Sequence, residues 1–112
     1  MDETPTEFFV VVRVGTPGQP AFQLRKGEEG LSVFVPVAVD PPLTEEEILA
    51  AFRPGSVLLQ RTSAQVAEHG LALIPTIGAD YLPERLRTAH SEIQPGAGME
   101  RPAFKSALRH LE

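Results

Sequence analysis

A chain of 112 residues, 42% hydrophobic and 22% charged, fits one globular domain with one sizeable core and no second. Its net charge of −5 offers no broad field for a phosphate backbone, and the absence of cysteine excludes disulfides and thiolate chemistry. Eleven prolines and nine glycines argue for short elements and many turns over a helical bundle.

Residues 1–7 are polar and are expected to fray. Phe8 to Val14 is β-branched and aromatic, with no solvent-facing position before Arg13, and predicts a strand buried on both sides. A turn cluster from Gly15 to Pro20 follows, then a possible short return strand at Ala21 to Leu24 and a charged loop from Arg25 to Gly30. Leu31 to Val39 predicts a further strand, with an edge or bulge where Pro36 cannot donate to a ladder. Thr44 and Glu47 form a capping box, stapled by Leu43 and Ile48, ahead of a helix from about Glu45 to Phe52.

Val57 to Leu59 mark an extended segment within Ser56 to Arg61, and Ser63 is placed to cap a brief helix closed by Gly70. Leu71 to Ile74 predicts a strand, residues 75–83 a loop, and Glu84, Arg85 and Arg87 a solvent face. Ala89 to Gln94 predicts the last strand. Pro102 then opens a terminal helix striped by Phe104, Ala107, Leu108 and Leu111. The fold expected is α+β, short strands mixed irregularly with two or three short helices.

Chemistry narrows quickly. His69, His90 and His110 are scattered without metal-ligand spacing, so no metal is expected. There is no Walker loop, no dinucleotide fingerprint and no nucleophile elbow around Ser32 or Ser91. His90 and Glu92 remain, two residues apart and hence on one face of a strand. One reading makes them a site in which an imidazole shuttles a proton and a carboxylate stabilises positive charge. The other makes them the wet side of an amphipathic edge strand, with Ser91 and Ile93 facing in. Tyr81, the lone tyrosine, could stack on a ligand ring or cover the core. No leader or membrane-length apolar run opens the sequence, so a cytoplasmic protein with no membrane contact is expected.

Gly30-Leu31-Ser32-Val33-Phe34, then Ile74-Pro75, then Ala89-His90-Ser91-Glu92-Ile93-Gln94-Pro95, resembles the type VI secretion effector 2 toxins. In that family a G-x-S-V-F strand precedes an I-P loop, a T-H-x-x-I-x-P strand and a closing helix. The resemblance implies a fold similar to the ADP-ribosyltransferases, with a small mixed, mostly antiparallel (split) β-sheet, and NAD as substrate, with no metal. It places Ser32 and His90 in the functional cleft, with an upstream arginine, Arg25 or else Arg13, on the pyrophosphate. Glu92 stands where many such enzymes present a catalytic carboxylate, and Tyr81 is available to the nicotinamide. It further implies a cognate immunity or antitoxin protein and an unknown protein or nucleic-acid acceptor. The rival expectation is a non-enzymatic protein-binding module using the edge at Leu31 to Val39 or the apolar face of the terminal helix.

Overall fold

In the computed structural model, which describes residues 9–112, five antiparallel strands form one sheet. They are β1 (Val10–Gly15), β2 (Leu31–Phe34), β3 (Val57–Thr62), β4 (Ala72–Pro75) and β5 (His90–Gln94), in the spatial order β3-β1-β2-β5-β4. Four α-helices accompany them: α1 (Glu45–Leu49), α2 (Ser63–Glu68), α3 (Glu84–Ala89) and α4 (Arg101–Arg109). The domain is therefore α+β, as the mixture of short strands and helices implied. The expected fraying of residues 1–7, and Phe8 of the first strand, lie outside the described residues.

Strand alternation divides the apolar residues between two cores. On one face Val11, Leu31, Val33 and Ile93 pack with Val66 of α2 and with Phe104 and Leu108 of α4. On the other, Val12 and Phe34 pack with Ile48 of α1 and with Leu86 and Ala89 of α3. Leu31, Leu86, Ile93 and Leu108 have no exposed surface, and each such side chain contributes roughly 1.5–3 kcal/mol by leaving water.

The seam between β1 and β2 is unusual. β1 pairs with β3 along its whole length, and β2 with β5 likewise, but β1 meets β2 at a single residue pair, Val12 with Phe34. The sheet is thus two ribbons, β3-β1 and β2-β5-β4, tacked together at one point.

Several expected elements differ in detail. Ala21 to Leu24 is not a strand: the Glu112 carboxylate accepts from the Ala21 and Phe22 amides at 2.7 and 2.9 Å, in place of a ladder partner. β2 ends at Phe34, and Pro36 opens a 3₁₀ turn (Pro36–Ala38), a position where its missing N–H costs nothing. Thr62, not Ser63, caps α2, in a reciprocal box with Gln65; the Ser63 hydroxyl instead accepts from the Phe9 amide. Glu84 to Ala89, for which only a solvent face at Glu84, Arg85 and Arg87 and a strand start at Ala89 were expected, is helical, because Leu82, Leu86 and Ala89 bury one side of it. β5 is also an interior strand between β2 and β4, so it has no wet edge. β2 is the middle strand of the sheet, paired with β5 along its length and with β1 only at Phe34, so it is not an edge strand.

Candidate functional site

β2 and β5 place Ser32 opposite Glu92 and Phe34 opposite His90. Directly opposed residues share a face, so hydroxyl, carboxylate and imidazole all project to the side of α1 and α3. Ser91 and Ile93 take the opposite face and are buried there. Gly30, immediately before β2, passes close against β5: a Cβ on it would lie 3.0 Å from Glu92 Oε1 and 3.1 Å from the Ile93 carbonyl oxygen. A larger residue would push the carboxylate or the strand away.

His90 begins β5 directly after α3 and is buried, contrary to the solvated alternative. Its Nδ1 lies 2.7 Å from Thr76 Oγ1, and its ring stands edge-on to Phe34 at 5.7 Å between centroids. Those two contacts fix the ring plane and leave Nε2 for a ligand. Glu92 is half-buried; its Oε1 accepts from Gln94 Nε2 at 3.0 Å, which holds the carboxylate while Oε2 has no partner among the described residues.

Arg13 occupies the seam. By alternation it belongs to the face of Leu59, its partner on β3, yet its guanidinium turns along the gap between the ribbons. Nε donates to the Ala21 carbonyl at 2.8 Å and Nη1 to the Ser32 carbonyl at 2.9 Å, supplying a bridge where the β1–β2 ladder is missing. Burial pushes its pKa down, and Arg25 adds to this, while Glu28 and Glu112 oppose it. It remains a cation at neutral pH, as arginine does in proteins.

Below this seam lies an open cavity of about 750 Å³, lined by Arg13, Ser32, His90, Glu92 and Tyr81 together with Phe34 and Phe52. The turns at Gly15–Pro17 and Arg53–Ser56, brought together by the pairing of Gly15 with Val57, form part of its lining, and Ile77, Ala79 and Tyr81 another part. Ile77 and Tyr81 are 86% and 81% exposed, so that part carries two large unburied side chains. Their loop is tied down by Thr76 N–H to the His90 carbonyl and Gly78 N–H to the Arg87 carbonyl. Gly78 is buried there, and a Cβ would meet the Arg87 backbone at 3.1 Å and His90 Cβ at 3.2 Å.

Five of the six expected site residues thus share one cavity, and Arg25 does not. Its segment follows the buried, Glu112-tethered stretch at Ala21–Phe22 and runs past the start of α4, where Arg101 donates to the Arg25 and Glu28 carbonyls. The upstream arginine at the cavity is Arg13. Arg53, absent from the sequence-based set, also lines it. Nothing in the local sequence Phe52-Arg53-Pro54-Gly55 distinguishes a cavity-lining arginine from a surface turn.

Among the described residues no three His, Cys, Asp or Glu side chains gather as a metal-binding group, and no helix is long and apolar enough to cross a membrane. No protein-family model matches the chain, and no curated protein or solved structure shows significant similarity to it.

Proposed function

We propose that this chain is an ADP-ribosyltransferase-like toxin domain that cleaves NAD and acts in the cytoplasm. The observation that carries the proposal is the convergence of Arg13, Ser32, Tyr81, His90 and Glu92 on one cavity from four separate segments. Its volume lies within the about 300–1,000 Å³ usual for small-molecule sites. The resemblance to the type VI secretion effector 2 toxins supplies the identity of the ligand.

In the proposed reaction the bond between the nicotinamide nitrogen and ribose C1′ breaks, and nicotinamide leaves with the bonding pair. The ribosyl centre becomes cationic, as in glycoside cleavage. Glu92, oriented by Gln94, stabilises that cation and accepts a hydrogen bond from a ribose hydroxyl. An acceptor nucleophile on a protein or nucleic acid then bonds to C1′ and loses its proton; with water instead, the result is NAD hydrolysis. Ser32 hydrogen-bonds the nicotinamide-side ribose. His90, held by Thr76, reaches the adenosine-side ribose or the pyrophosphate. Arg13 offers Nη2, its remaining unengaged nitrogen among the described residues, to the pyrophosphate. Tyr81 stacks on the nicotinamide.

A cognate immunity or antitoxin protein belongs to the same proposal. The exposed Ile77 and Tyr81 at the cavity mouth give such a partner an apolar hold while it blocks entry.

Nicotinamide release from NAD, followed by chromatography on the purified chain, tests the reaction. Glu92→Gln should slow release by about 100-fold or more, the usual order for losing a group that stabilises transition-state charge, while NAD still binds. No release by the unsubstituted chain, with or without cell extract as acceptor, would overturn the enzymatic reading.

A further inference from the structure

The cavity wall is chemically divided along the seam of the sheet. The β2-β5 ribbon contributes a hydroxyl, an imidazole and a carboxylate. The β3-β1 ribbon and the turn before β3 contribute two guanidiniums, Arg13 and Arg53. Glu92 is the sole carboxylate among the lining residues, so two cations and one anion give the lining a charge of +1 on a chain of −5. Both arginines line this one cavity, and the pairing of Gly15 with Val57 sets the Gly15–Pro17 turn beside the Arg53–Ser56 turn.

We infer that Arg53 is a second anion-binding residue, and that Arg13 and Arg53 together hold the diphosphate of a dinucleotide in the cavity. The inference rests on the NAD reading for the rest of the ligand, but the anion grip stands on the lining charges alone. Arg13 spends Nε and Nη1 on the Ala21 and Ser32 carbonyls, which leaves one nitrogen for two phosphates. Arg53 is exposed, and its guanidinium makes no hydrogen bond or ion pair among the described residues. Its backbone is nonetheless fixed, because the Arg53 carbonyl accepts from both the Ser56 amide, at 3.1 Å, and the Ser56 hydroxyl, at 2.7 Å. A tethered turn carrying a spare guanidinium suits a doubly charged group that Arg13 only half satisfies.

Calorimetric titration of inorganic pyrophosphate, ADP and NAD into the unsubstituted chain, Arg53→Ala and Arg53→Lys tests this. Arg53→Ala should weaken ADP and NAD by roughly tenfold or more, the order expected for one lost charge-assisted hydrogen bond, with Arg53→Lys intermediate. Circular dichroism of Arg53→Ala should match the parent, since the side chain is exposed. Equal affinities in parent and Arg53→Ala would overturn the role of Arg53 while leaving NAD binding intact. Arg53-dependent binding of pyrophosphate and ADP without binding of NAD would keep the anion site and remove the NAD reading. No binding of any of the three would remove both.

Discussion

At the scale of single residues, the polar groups divide into those that hold the chain and those left for a ligand. Glu112 holds the chain: its two carboxylate oxygens each accept a backbone amide, from Ala21 and Phe22. Glu112→Ala leaves both amides without acceptors and should cost about 1–3 kcal/mol, read as a lower denaturant midpoint with unchanged slope. A midpoint equal to the parent would show that water replaces the carboxylate at no cost. His90 and Glu92 were legible as candidates because strand alternation puts positions two apart on one side, whereas Ser32 entered only through the resemblance carried by Gly30–Phe34. Arg13 was legible only as one of two, since the choice between it and Arg25 depends on where the chain goes after Phe22. That route is set by Glu112, about 90 residues away in sequence, a contact no local pattern announces. Arg53 was invisible, and the close packing at Gly78 unread, for a similar reason. Each matters through the segments it faces across the fold.

Among the elements, α1 was the most legible. Thr44 Oγ1 accepts from the Glu47 amide at 3.0 Å and Glu47 reaches back to the Thr44 amide, as the capping-box spacing implied. α3 was the least. It has Pro83 at its N-cap and no side-chain cap, so the usual start signal is missing, and only the spacing of Leu82, Leu86 and Ala89 betrays it. What anchors it is Arg85, which donates from Nε to Glu47 Oε2 at 2.6 Å and from Nη2 to the Pro41 carbonyl at 2.6 Å. The Arg85 hydrogen bond holds the Glu47 carboxyl below the usual carboxylate range; desolvation opposes this and the Thr44 amide reinforces it. A carboxyl lowered in the folded state contributes stability above its unfolded pKa, and that stability is lost as pH falls through the folded value. Arg85→Ala should therefore lower the melting temperature at neutral pH, and the gap to the parent should close below the ordinary glutamate value of about 4.3. A gap of constant size down to about pH 3 would mean that the Pro41 contact, which does not titrate, carries the effect.

For the molecule as a whole, the central feature is a sheet of two ribbons joined at Val12 and Phe34, with separate cores on its two faces. Each ribbon is well paired internally, so the seam is the place where the fold has backbone pairing to spare. Arg13 fills part of it, and the cavity lies along the rest. An α+β outline could be read from the succession of short apolar segments and turns. The resemblance implied a split sheet, but nothing in the sequence placed the seam between β1 and β2 with Val12 and Phe34 as its one pair. A ligand spanning the cavity must touch both ribbons and so tie them together. Amide hydrogen exchange with and without NAD measures that most directly. Saturating NAD should slow exchange at Arg13–Gly15 on one ribbon, at Ser32–Phe34 on the other, and in the loop from Thr76 to Leu82. Unchanged exchange at all three segments in the presence of millimolar NAD would contradict the account.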